Sequence, residues 1–194
     1  MKNHKYVVFI NGPPHSGKDT AAHFIFKEFM AGPWYAQKMK VSTPLKKAAH
    51  ALFHVSRTAE KMEIDGEKDV PSDDFFGNIP RQVYIDLSER HAKSLYGPGF
   101  FGRILGRRLI EPSLARLTIV SDAGFSVEVA EACRIFGPQQ CFIMRLHRDG
   151  TSFDGDSRDY LDVEGVDSVD IMNKFELDLF DVQVNKVVKQ WLRV

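Results

Sequence analysis

Residues 6–20, Tyr-Val-Val-Phe-Ile-Asn-Gly-Pro-Pro-His-Ser-Gly-Lys-Asp-Thr, constrain this chain more than any other stretch. The β-branched and aromatic run from Tyr6 to Ile10 suits a strand, and Gly12 ends it. Gly17 and Lys18 follow, then an apolar periodicity that predicts a helix through Met30. A strand, a glycine-flanked turn and a helix together form the setting in which a G-x-x-x-x-G-K string cradles phosphate. The two glycines admit backbone angles and close approaches that a Cβ would block. The turn's N–H groups and the helix N-terminus offer partial positive charge, and Lys18 adds a full one. The predicted nucleotide-binding loop is therefore Gly12, Pro13, Pro14, His15, Ser16, Gly17, Lys18, Asp19 and Thr20, with ATP as its ligand and His15 as a filler. The bland alternative is a Gly-Pro turn before an ordinary helix. Asp19 stands where Ser or Thr usually gives a hydroxyl to Mg²⁺. Either Thr20 takes that part, or the Asp19 carboxylate meets the metal directly or through water.

The bulk of the chain fits one domain, residues 1–194, since 43% hydrophobic and 27% charged residues suffice for a single sizeable core. Lys+Arg and Asp+Glu both number 26, so no overall field draws the molecule to nucleic acid or membrane, though a local basic face stays open. Cys133 and Cys141 lack metal-ligand spacing and are expected to be reduced core thiols of a cytoplasmic protein. The first apolar run is too short for a signal peptide or a membrane span, so no membrane association is expected.

Strand-like and helix-like segments alternate, which argues an α/β fold with a parallel sheet and helices on both faces. A second strand is expected over Tyr35–Val41, then a helix from Leu45 to about Val55 opened by Ser42-Thr43-Pro44. Ser56 to Gly77 is rich in Asp and reads as loop with at most one short helix. Helices are predicted over Ile79–Leu95 and Phe100–Ile110. Leu117 to Asp122 reads as a buried strand ending in an acid, and Phe125–Phe136 as a helix closed by Gly137-Pro138. Cys141–Leu146 and Val169–Met172 are further strands. Residues 147–164 are polar and glycine-broken, as in a mobile loop or lid. The last helix is predicted over Phe175–Leu192, apolar at Leu179, Val182, Val187 and Trp191.

Phosphoryl transfer asks a protein for positioning, a metal and cations. Asp122, at the carboxyl end of a core strand, can bind Mg²⁺ through water or take a proton from an acceptor hydroxyl; the bland alternative is a cap for the next helix. Arg145, Arg148 and Arg158 lie in or beside the lid, and Arg148 and Arg158 are the chosen phosphate ligands, against a view in which they pair with Asp149, Asp154, Asp156 and Asp159. Arg81 and Arg103, on helices within about 79–110, are the acceptor-binding candidates, while Arg107 and Arg108 read as an exposed basic face. Phe75, Phe76, Tyr84, Phe100 and Phe101 can stack on a base or fill the core.

The run from Asn11 to Thr20 resembles the loop of the tailed-phage deoxynucleoside monophosphate kinases, which likewise ends Gly-Lys-Asp-Thr. Thr43 to Leu52 is similar to that family's Gly-Pro-Ile-Lys-Asp-Ala-Leu segment, and Pro80-Arg81-Gln82 to the start of its arginine-bearing acceptor helix. Asp170-Ile-Met-Asn173 looks like its terminal strand and loop near the adenine, which implies that Asn173 binds the nucleotide. The resemblance implies a nucleotide-kinase-like P-loop NTPase fold of three layers with a lid, ATP and Mg²⁺ as cofactors, and the host cytoplasm as location. Where the family has Thr-Arg after the strand-end aspartate, this chain has Ala123 and Gly124, and it is shorter through its middle. The related phage 5-hydroxymethyluridine DNA kinases share the build but phosphorylate a base hydroxymethyl group in DNA. The implied acceptor is thus a free deoxynucleoside monophosphate or hydroxymethyluracil in DNA, the latter turned out of its stack. A non-catalytic or switch-type nucleotide binder is the competing class, motivated by Asp19 and by Ala123-Gly124.

Overall fold

Five strands form one wholly parallel sheet in this computed structural model, which describes residues 5–174 and 176–194. They are β1 (Tyr6–Asn11), β2 (Gln37–Met39), β3 (Leu117–Val120), β4 (Cys141–His147) and β5 (Asp167–Met172), in the spatial order β2-β3-β1-β4-β5. The helices are α1 (Lys18–Phe29), α2 (Thr43–Leu52), α3 (Ala59–Ile64), α4 (Pro80–Asp86), α5 (Ser94–Tyr96), α6 (Phe100–Ile110), α7 (Ser126–Phe136) and α8 (Leu177–Leu192). The chain gathers into two compact units, one of residues up to 41 and from 102 onward, the other of residues 42–101.

The first unit holds the sheet. β1 is central, with Tyr6 in register with Leu117 of β3 and Val7 with Cys141 of β4. Val7, Val8, Phe9 and Ile10 are all fully buried, as expected of a strand covered on both faces. Successive side chains alternate, so Val8, Ile10, Phe142 and Met144 face one side, where Ala22, Ile25 and Phe29 of α1 pack with Phe180, Val184 and Val188 of α8. The opposite side receives Cys141, whose thiol faces the Cys133 thiol of α7 and donates to the Gly137 carbonyl at 3.4 Å. Both cysteines are buried and free, and the contact with Cys133, with burial, pushes the Cys141 thiol far up. Gly102 and Gly106 let α6 lie flush on α7. A Cβ on Gly106 would stand 2.8 Å from the Ile135 Cβ, and one on Gly102 would overlap the Glu128 backbone.

Several boundaries differ from the sequence expectation. The second strand is shorter than Tyr35–Val41, because Tyr35 takes φ +43 and the Ala36 N–H returns to the Phe29 carbonyl to close off α1. β3 ends at Val120, so Asp122 lies two residues past the strand. The predicted start of the last helix at Phe175 lies outside the described residues, and α8 begins at Leu177. Its buried stripe is Phe180, Val184, Val188 and Leu192, whereas Leu179 and Val182 are exposed. Both phases carry apolar residues, and only the neighbouring α1 decides which is covered.

The second unit is helical. Thr58 caps α3 by accepting the Lys61 N–H at 3.2 Å. Residues 56–77 thus hold more structure than the expected loop: α3 and two single turns, Glu67–Asp69 and Asp73–Phe75. The acids that read as loop are ion partners, with Arg57 reaching Glu67 and Asp74, each at 2.7 Å. α4 continues through wider π turns over Leu87–Lys93 into α5. Phe75 is fully buried beside His50, whose ring bonds the Arg57 carbonyl and the Tyr84 hydroxyl, both at 2.7 Å. Burial, with Glu60 and Glu63 nearby, pushes the Tyr84 hydroxyl up to about 12. Phe101 is buried, while Phe76 is exposed at φ +54, so only part of the aromatic set is core. No helix among the described residues is long and apolar enough to cross a membrane.

Candidate functional site

The carboxyl edge of β1 runs straight into the glycine-flanked turn, and α1 starts at Lys18 directly after Gly17. β2 and β3 lie to one side of β1 and β4 and β5 to the other, so this edge is where the strand order switches, the usual ligand crevice of open α/β sheets. Both glycines are required. A Cβ on Gly12 would stand 2.6 Å from the Leu146 carbonyl oxygen and 2.6 Å from Ser16 Oγ. Gly17 has φ +101, and a Cβ there would meet Asn173 Nδ2 at 2.6 Å. His15 also turns left-handed, at φ +63, and its carbonyl accepts from Arg148 Nη1 at 2.9 Å. His15 thus serves through its backbone. Ser16 is buried, and its hydroxyl has no hydrogen-bond partner among the described residues.

Lys18 folds back over the turn and donates to the carbonyls of Gly12 at 2.8 Å and Pro13 at 2.6 Å. Burial lowers its pKa, and the nearby Arg158 charge lowers it further. A cation held between burial and a second cation is one that an anion would stabilise. Asp19 Oδ1 accepts from Ser121 Oγ at 2.9 Å and faces Lys40 Nζ at 3.8 Å, with the carboxylate largely exposed. Thr20 sits half-buried one residue on.

Asp122 is engaged by the segment that follows β2. Its Oδ1 accepts the Val41 N–H at 2.7 Å, which ties the stretch two residues past β2 to the stretch two residues past β3. Arg108 is half-buried rather than part of an exposed basic face: it donates to the Lys40 carbonyl at 2.8 Å and feels the Asp122 charge. Arg107 is exposed as expected. Sequence reasoning missed Ser121 and Lys40 and read Arg108 as part of an exposed face, because these contacts span 68 to 102 residues.

The stretch expected as a lid, 147–164, begins after β4, since His147 is the last strand residue. His147 bonds Asp170 at 2.6 Å and stacks on Tyr160, with centroids 4.4 Å apart. The far end of the stretch is anchored: Leu161 is fully buried, and its N–H and carbonyl are taken by Asn11 and Arg145. Arg145 also pairs with Asp170 at 2.7 Å, so it serves the sheet edge. Arg158 forks onto Asp156 through Nε and Nη2, and Asp156 also feels the Lys18 charge. The pairing with Asp156, weighed as the alternative for this arginine, is therefore what the structure holds.

Asn173 is buried beneath the turn and donates to the Ser16 carbonyl at 3.0 Å. The structure thus gathers Gly12, Ser16, Gly17, Lys18, Arg148, Arg158 and Asn173 at one edge. Arg81 lies in the helical unit, paired with Asp69, and Arg103 is half-buried on α6. No cluster of three or more His, Cys, Asp or Glu that could hold a metal occurs among the described residues.

No protein-family model matches the sequence, and no curated protein matches it. The fold is shared with solved structures. A protein of Chloroflexus aurantiacus, provisionally named a kinase, has a TM-score of 0.52 at 11% identity, covering 100% of this chain and 98% of that one. A sugar kinase of a Janibacter species, solved without ligand, has a TM-score of 0.49 at 12% identity, covering 98% and 95%. At such identity the likeness is one of fold: this chain's α/β fold, built around a five-stranded parallel sheet, is shared with a protein named as a kinase.

Proposed function

We propose that this chain is an ATP-dependent kinase of the P-loop type, with a deoxynucleotide-type acceptor. The observation that carries the reading is the placement of Lys18 over a turn pinched by Gly12 and Gly17 at the carboxyl edge of β1. The fold shared with a protein named as a kinase and the resemblance of residues 11–20 to phage nucleotide kinases support it.

A triphosphate fits the residues present. The turn has no room for a Cβ at Gly12, the Ser16 hydroxyl awaits a partner, and Lys18, Arg148 and Arg158 supply cations. Lys18 would exchange its bonds to two carbonyls for phosphate oxygens, a stronger charge-assisted pairing. As the acceptor oxygen bonds the γ-phosphorus, the bond to the bridging oxygen of ADP breaks, and Arg158 and Lys18 neutralise the charge that develops. Asp122 is the group for the acceptor's proton or for a water-bridged metal. Asp19 and Thr20 are the residues that would hold Mg²⁺, whose preference for few carboxylates plus phosphate and water suits a single acid. That ion would neutralise phosphate charge.

The test is labelled-ATP transfer to free deoxynucleoside monophosphates and to DNA containing hydroxymethyluracil, for wild type and Lys18→Ala. Transfer abolished by Lys18→Ala with an unchanged melting profile is expected. Full activity in that variant would overturn the reading. Label on DNA alone would select the DNA acceptor over the free nucleotide.

A further inference from the structure

Asn11 is the last residue of β1 and is buried to 1% exposure, yet it is polar. Its amide makes three hydrogen bonds. Nδ2 donates to the carbonyls of Ala123 and Asp159, each at 3.2 Å, and Oδ1 accepts the Leu161 N–H at 3.0 Å. Two carbonyls on one side and one N–H on the other leave a single amide orientation that satisfies all three. One side chain therefore clamps together the end of the central strand, the turn after β3 and the segment that follows Arg158.

The same two segments meet a second time. Gly124 is buried, and a Cβ built on it would stand 2.8 Å from Arg158 Cγ and closer still to Cδ. The arginine stem lies on the bare backbone of the turn, in space that any other residue would fill. Its charge reaches Lys18, whose pKa it helps to lower. Further along, the Asp162 N–H donates to Ser126 Oγ at 3.3 Å, so the seating continues past the clamp.

From this geometry we infer that Asn11 and Gly124 are positioning residues that build a fixed seat for Arg158, which is thereby a standing wall of the phosphate site and not part of a closing flap. The inference rests on the kinase reading above and adds how its second cation is held.

A double-mutant cycle tests the seat. Gly124 has no left-handed φ, so Gly124→Ala changes space and little else. The variant is expected to lower Mg·ATP turnover by about a hundredfold, the scale of a displaced charge-stabilising group. The Kd for ADP should stay within about threefold. In an Arg158→Ala background the same change should cost less than about twofold, because it acts only through that arginine. Equal losses in both backgrounds, or no loss in either, would overturn the seat while leaving nucleotide binding by Lys18 intact. Hydrogen exchange at the Leu161 amide, measured without nucleotide in wild type and Asn11→Ala, keeps the two readings apart. Exchange at least about tenfold faster in the variant is expected, and an unchanged rate would overturn the clamp whatever the activity.

Discussion

The side-chain amide of Asn173 donates to the carbonyl oxygen of Ser16 at 3.0 Å across 157 residues of sequence. The Asn173 N–H in turn bonds the His147 carbonyl at 2.7 Å, so the end of β5 holds the end of β4 and the glycine turn together. The turn is shaped from below by this contact and from the side by Leu146.

Gly17→Ala strikes that arrangement twice, through a left-handed φ of +101 and through the Asn173 amide. A loss of about 1–3 kcal/mol in stability is expected, together with weakened ATP binding. Chemical denaturation and nucleotide titration on the same preparation check it; an unaltered midpoint would refute the steric account.

Asp156 occupies the Arg158 fork that the γ-phosphate would need. Asp156→Asn removes a competing anion beside two cations, and ATP affinity should rise by about twofold to fivefold, the range of a partly exposed ion pair. Calorimetric titration at low and moderate salt measures it. Weaker binding in the variant would mean that the carboxylate assists the site instead.

Asp170 of β5 faces Arg145 and His147 of the neighbouring β4, and Arg145, then His147, holds its carboxyl below the ordinary 3.8. A carboxyl depressed in the folded state stabilises above its unfolded pKa, and that contribution fades as pH falls through the folded value. The melting temperature of wild type should exceed that of Asp170→Asn at neutral pH, with the gap closing below about pH 4. A gap that persists undiminished at pH 2 would rule out the electrostatic cause.

Gly102→Ala forces a side chain into the Glu128 backbone and should cost about 1–3 kcal/mol through overpacking. Arg158 and Lys18 are not its neighbours in that contact, so ATP affinity per folded molecule should hold. Melting curves beside a binding titration separate the two effects.

Local chemistry was legible. The strand, glycines, lysine and helix of residues 6–29 rest on propensity, periodicity and left-handed backbone, each confined to a few residues. The same logic located β4 and β5, placed α6 at its observed bounds and α7 to within one residue. It failed where a sequence carries two possible faces, as in α8, and where acids become ion partners, as Glu67 and Asp74 do for Arg57.

By itself, then, the sequence determined that a glycine-flanked turn with a lysine would join a buried strand to a helix in an α/β chain. Tertiary structure alone decided that Asp122 would hold Val41, that Asn11 would bind the segment after Arg158, and that Gly124 would lie under its stem. Those contacts join residues 81 to 148 positions apart, or fill the space a missing Cβ leaves. Neither leaves a periodic or compositional trace, because the partner is chosen by the sheet order and not by the neighbouring residues.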